Sequence, residues 1–238
     1  MKRRLLLGGA IVVVLATVLS TGTYILMNSR TFQVAGRLVH RVATSEKVVA
    51  LTIDDGPTDH TPAILETLAA EHVPATFYLV GRDLAAHRDY GAQIAAAGHE
   101  LGNHSYTHRR LVFVTPATVR DEIERTDAEI EHTGYHGPVT FRPPYGKKLV
   151  ALPWYLSHHD RTTVMWDVES DSTGGASTDA IVSETVNRAR PGSIILLHAM
   201  YQPAAAAAIP RIVAELRSRG YGFVTVSQLI AGTKPTGM

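Results

Sequence analysis

The residues of this chain whose types and spacing could do chemistry are two acids and two histidines. The run 48–53 is apolar or β-branched throughout and leads straight into Asp54 and Asp55, then Gly56-Pro57. Two adjacent carboxylates repel each other unless a cation or a proton sits between them. The rival reading is an acidic turn in which one of them caps the following helix. Further on, His104 and His108 follow Gly102-Asn103, and two imidazoles four positions apart on a first helical turn face one point. Spacing alone carries little, because 12 histidines in 238 residues give on the order of 0.6 such pairs by chance. A second pair, His132 and His136, flanks Gly134 at the end of a charged helix and reads as solvated surface. The first pair differs in standing directly behind a strand. Joined by a carboxylate, Asp55 or Asp54, it forms the ligand set of a catalytic zinc-type site with an open position. One acid binds the ion, and the other is left beside an activated water, where a general base is needed. His198 follows the apolar run 194–197. It reads as a candidate general acid, against the default of a satisfied core histidine.

Such groups can meet only if the elements that carry them end together. Strands are expected over 48–53, 75–80, 99–103, 138–141, 162–168, 193–197 and 221–226. Helices are expected over 62–70, 90–97, 116–133, 152–157, 178–189 and 203–219, the last kinked at Pro210. The helix over 116–133 turns Val119, Ile123 and Ile130 inward and an acid-rich face outward. Strands alternating with helices imply a parallel sheet with crossover helices. The fold class is therefore α/β, and a distorted, seven-stranded (β/α) barrel fits better than an open sheet, since no Gly-x-Gly-x-x-Gly fingerprint is present. Asp54-Asp55, His104 and His108, Arg142-Pro143-Pro144-Tyr145, the stretch 166–171 and His198 all follow strands. They converge on the carboxyl-end rim, where barrel enzymes keep their active sites.

These residues also carry a family resemblance. Thr52-Ile53-Asp54-Asp55-Gly56-Pro57, the stretch 98–108, Arg142-Pro143-Pro144-Tyr145-Gly146 and Leu196-Leu197-His198 resemble, in order and approximate spacing, four of the five motifs of the polysaccharide deacetylases, the carbohydrate esterase family 4 or NodB-homology group. The resemblance covers roughly residues 45–230. It implies a distorted (β/α) barrel and metal-dependent removal of acetyl groups from an N-acetylated sugar. By position, Asp54 resembles the general base, and Asp55, His104 and His108 the metal triad. Arg142 resembles the residue that holds the base, Tyr145 the one whose backbone N–H faces the oxyanion, and His198 the acid that protonates the departing amine. The fifth motif departs from the pattern: it reads Trp166-Asp167-Val168-Glu169-Ser170-Asp171-Ser172, with Glu169 at the expected acid position and no second Trp. Glu169 is the first choice for orienting His198 and Asp171 the second. The missing Trp removes one wall of the expected sugar groove. His99 and Glu100 read as structural or as support for the metal pair.

Composition sets the frame. Cysteine is absent, which excludes disulfides, thiolate catalysis and cysteine-ligated metal. Net charge is +1, with no basic stripe beyond the N-terminus, so nucleic acid is not an expected partner. Lys2, Arg3 and Arg4 precede an uncharged, mostly apolar run over 5–27, and about 1.5 Å of rise per residue lets it cross a bilayer core of about 30 Å. The basic cluster favours a cytoplasmic N-terminus. The expected organisation is a membrane anchor or uncleaved signal over 1–30, a linker and lead-in over 31–45, and a catalytic domain over 46–232. The expected protein is a single-pass, outward-facing enzyme of the cell membrane, with secretion after signal cleavage as the alternative. Its expected cofactor is a divalent metal, zinc by ligand type, with Co2+, Ni2+ or Mn2+ as substitutes. Its expected substrate is an N-acetylated envelope glycan such as peptidoglycan or a chitooligosaccharide. The rivals are a catalytically silent glycan-binding protein and a hydrolase of another amide or ester.

Overall fold

The computed structural model describes residues 2–172 and 175–232, with backbone alone for 2–9, so the side chains of Lys2, Arg3 and Arg4 lie outside the described residues. In chain order the elements are α1 (Lys2–Asn28), β1 (Leu38–Val39), β2 (Val48–Asp54), α2 (Thr61–Ala70), β3 (Thr76–Leu79), α3 (Gly81–Ala86), α4 (Arg88–Ala96) and β4 (Glu100–Asn103). There follow α5 (Pro116–His132), α6 (Ala151–His158), β5 (Thr163–Val164), β6 (Val168–Glu169), α7 (Thr178–Arg188), β7 (Ile194–Leu197), α8 (Pro203–Ser218), β8 (Gly222–Val224) and α9 (Val226–Ala231).

Every residue of β2 is buried, because the strand is covered on both faces. One edge pairs with β7 from Ala50 to Ile53, and the other takes β8 at Val48–Ala50 and β3 at Thr52–Asp54. All strand pairs are parallel. Successive strand residues point to opposite faces. Val49, Leu51 and Ile53 accordingly join the outer core, with Ile64 and Leu68 of α2 and Ile209 and Ile212 of α8. Val48 and Ala50 join the inner core, with Tyr78, Val164 and Leu196. The same alternation sends Thr52 and Asp54 inward.

The ring runs from β6 through β7, β2, β3 and β4. Single bridges at Phe141 carry it on to β5, which pairs with β1. No strand pair among the described residues joins β1 back to β6, so the barrel is distorted and open. The expected strand over 138–141 is reduced to those bridges. The expected strand over 162–168 is divided into β5 and β6, because the Asp167 carboxylate turns back to accept from the Ser193 hydroxyl and the Ile194 amide. Helices α3 and α9 were not expected, and α8 runs through Pro210 as one helix. Residues 31–45 are no free linker: Gln33 and Val39 are buried, β1 pairs with β5, and the Val42 amide donates to Gly192.

Candidate active site

Asp54 is the last residue of β2 and its side chain is almost fully buried. A carboxylate there needs a counter-charge, and Arg142 supplies it: Nη1 donates to Asp54 Oδ1 at 2.6 Å and to Thr52 Oγ1 at 2.7 Å. Arg142 itself has no exposed surface. Its remaining donors reach the Val164 and Met165 carbonyls, and its guanidinium lies 4.0 Å from the Tyr78 ring centroid. That ring explains Gly102, since a Cβ at position 102 would come within 2.5 Å of it. Burial holds the Asp54 carboxyl above its usual range, and the Arg142 charge offsets only part of that rise.

Asp55 sits one residue past the strand in the left-handed region, φ 73°, and its carboxylate turns to the two histidines. Asp55 Oδ1 is 3.8 Å from His104 Nε2 and 3.2 Å from His108 Nε2. Among the described residues, these three are the group whose donor atoms lie within 4.8 Å of one another. His104 Nδ1 is 2.7 Å from the Arg142 carbonyl; a carbonyl only accepts, so Nδ1 carries the proton and Nε2 keeps its lone pair. Burial lowers the His104 pKa to about 3, which keeps the ring neutral, as a metal ligand must be. Two neutral imidazoles and a carboxylate are the donor set of a catalytic divalent-metal site, so the residues present fit the group.

The pair does not stand on a helical turn. His104 ends the β4 ladder, with its amide donating to Leu79, and the chain then loops with positive φ at Ser105 and His108. The loop is held by Glu122 of α5. Its carboxylate accepts from the Tyr106 and Thr107 amides at 2.9 and 2.8 Å and from the Thr107 hydroxyl. Glu122 is 3% exposed, so the acid-rich face of that helix is not wholly outward. The signal was available, since Glu122 shares the helical stripe of Val119, Ile123 and Thr126.

His198 follows β7. Asp171, wholly buried, accepts from its backbone amide at 2.5 Å and its ring Nδ1 at 3.1 Å, leaving Nε2 for the cleft. Burial lowers the His198 pKa, but the Asp171 hydrogen bond and the fields of Asp54, Asp171 and Asp55 outweigh it and bring it to about 9. Glu169 therefore does not hold His198. It accepts from Arg30 Nη2 at 2.6 Å, from Trp166 Nε1 at 2.7 Å and from the Ser172 hydroxyl. Arg30 also lies over the Trp166 ring, 4.6 Å from its centroid, and lines the cleft beside it. Nothing in the sequence singled Arg30 out, because the partner it takes is 139 positions away. His99 and Glu100 lie away from the metal pair: His99 Nδ1 accepts from the Ala75 amide and Glu100 from the Ser227 amide.

These groups share one cleft of about 470 Å3, lined by Asp54, Asp55, His104, His108 and His198 on its floor and by Arg30, Tyr145, Trp166 and Glu169 on its walls. Tyr145 has φ 58° in the short turn Pro144–Gly146, and its ring is 4.7 Å from that of His108.

Residues 41–164 match the family model described as polysaccharide deacetylase. The peptidoglycan-N-acetylglucosamine deacetylase of Bacillus cereus is 32% identical over 190 residues, which is 78% of this chain and 69% of that protein. The structure of the Bc1960 peptidoglycan N-acetylglucosamine deacetylase superposes with a TM-score of 0.78 at 30% identity, over 84% of this chain and 95% of that one. BA3943 of Bacillus anthracis, a CE4 family pseudoenzyme, superposes with a TM-score of 0.76 at 27% identity, over 83% and 70%. With the family match spanning more than half of the sequence and the fold shared along most of it, this chain belongs to the polysaccharide deacetylase family, carbohydrate esterase family 4.

Proposed function

We propose that the protein is a metal-dependent hydrolase that removes N-acetyl groups from an N-acetylated cell-envelope glycan, peptidoglycan or a similar polymer. The observation that carries this reading is the single cleft that holds a three-donor metal set, a buried acid pinned on one oxygen and a protonatable imidazole. Asp55, His104 and His108 would hold the divalent ion, zinc by donor type. When bound, such an ion supplies Lewis-acid polarisation of the acetamide carbonyl and acidifies water.

The chain's own groups do the rest. Asp54 keeps Oδ1 in the bond to Arg142, while Oδ2 lies 3.7 Å from His104 Nε2 and faces the metal set. It is the general base, taking a proton from the attacking water. The water oxygen adds to the acetyl carbon, and the Tyr145 backbone N–H is assigned to the oxyanion. His198, with Nδ1 held by Asp171, passes the Nε2 proton to the sugar nitrogen as the C–N bond breaks. Acetate and a free amino sugar leave. The silent glycan-binding reading has against it that every one of these groups is in place.

The proposed location is the outer face of a membrane, with α1 as an uncleaved anchor. Residues Ala10–Asn28 are long and apolar enough to span, and none of that window is buried against the protein. The test is acetate release from peptidoglycan fragments and N-acetylglucosamine oligomers. Release that stops on chelation and returns with Zn2+ is expected. Release that survives complete metal removal overturns the metal assignment, and no release by the fully metallated protein from any such glycan favours the binding reading.

A further inference from the structure

We propose that the groove between Phe113, Val114, Val150 and Trp154 is a membrane-seating surface, which lays the catalytic domain on the bilayer at the foot of α1. The inference rests on the reading of α1 as an anchor. Phe113 is 77% exposed, Trp154 59% and Val150 55%, and together they border a groove of about 280 Å3 that is floored by Leu111. Single exposed apolar residues are ordinary, but a contiguous apolar groove with an aromatic on each side marks a contact surface. Phe113 also holds φ 51°, a conformation that costs energy for a bulky residue and that its exposure does not offset by packing.

Continuity decides what covers the groove. Leu111 bridges to Lys148, so the two strips of chain that supply Phe113 and Val150 lie side by side. Lys148 grips the end of α1: its amide donates to the Met27 carbonyl at 3.3 Å and its ammonium to the Ser29 carbonyl. Val150 is only two residues farther on, at most ~7 Å of chain. The apolar groove therefore begins where the apolar helix ends. Arg109 and Arg110 are exposed immediately before Leu111, a basic flank suited to anionic headgroups, and Trp belongs by its chemistry at such an interface. A lipid headgroup layer is the occupant that satisfies the aromatics, the basic flank and the neighbouring span at once.

The chain has two tryptophans, and Trp166 is buried at 5%, so emission can be assigned by difference. The full chain is reconstituted in phosphatidylcholine and phosphatidylglycerol vesicles whose acyl chains are brominated near the headgroup or near the tail end. Headgroup-proximal bromine is expected to quench the wild type, with that quenching lost in Trp154→Phe and weakened in Phe113→Asp. Phe113→Asp is expected to keep the wild-type rate on a soluble oligosaccharide, which shows that it folds. Equal quenching in wild type and Trp154→Phe, by a chain that stays in the vesicles through alkaline extraction, overturns the seating and leaves the anchor standing. A chain that leaves the vesicles on extraction overturns the anchor and the seating with it. An emission shift on adding oligosaccharide in detergent that is lost in Trp154→Phe, without lipid quenching, assigns the groove to sugar instead.

Discussion

Asp54 and Asp55 are neighbours of one chemical type in different surroundings, and the difference comes from the strand they end. The inward register of Thr52 takes Asp54 into the barrel beside Arg142, whereas Asp55 turns out of the ladder at positive φ. Asp54→Asn keeps the shape and removes the proposed proton acceptor, so acetate release should fall by about 10²–10⁴-fold, with metal content by elemental analysis unchanged. A loss of bound metal in that variant would make Asp54 a ligand instead. His198 carries its pKa up to about 9. Its protonated form therefore prevails below that pH, and activity that needs the acid should fall as pH rises through about 9. Asp171→Asn keeps an acceptor for the Nδ1–H but removes the negative charge that favours the imidazolium, so it should move the alkaline limb of the rate profile toward the ordinary histidine value of about 6.5. Glu169→Gln should leave that limb in place. The choice between these acids could not be read from sequence: Glu169 and Asp171 have the same parity, and the residue that claims Glu169 comes from the far end of the chain.

At the scale of elements, the proposed metal donors depend on packing that is remote in sequence. His108 stands in a loop that makes no helical turn, and the Glu122 carboxylate of α5 ties that loop down. Glu122→Ala should loosen the loop and weaken metal binding by about 10–100-fold, measured by competition with a chelator. Glu122→Gln, which keeps one acceptor oxygen, should lose less. Equal affinity in all three proteins would mean that the loop holds its own shape. Long periodic elements were legible in the sequence. The fully buried β2 and the amphipathic α5 are legible near their true limits, because burial on both faces or on one stripe writes itself into residue type. The strand expected over 162–168 misled for a physical reason: Asp167 accepts from Ser193 and Ile194, and nothing local to 162–168 reports a partner across the sheet.

On the scale of the whole molecule, the open barrel is completed by chain that sequence alone treats as a lead-in. β1 pairs with β5, and Val39 is buried in the inner core. A chain that starts at residue 46 should therefore lose the Val39 contact, about 1.5–3 kcal/mol, and the β1 pairing besides. One that starts at residue 29 should keep both. Thermal unfolding of the two, which should melt at a lower temperature in the shorter, measures the difference; equal midpoints would restore 31–45 to a linker. The contacts of residues 27–30 with Lys147, Lys148 and Glu169 have a larger consequence. A loose tether would let an enzyme sweep a hemisphere, but a helix gripped at its last turn acts as a splint. With α1 in the bilayer as proposed, the cleft works at one fixed altitude, and glycan has to come down to it to be deacetylated.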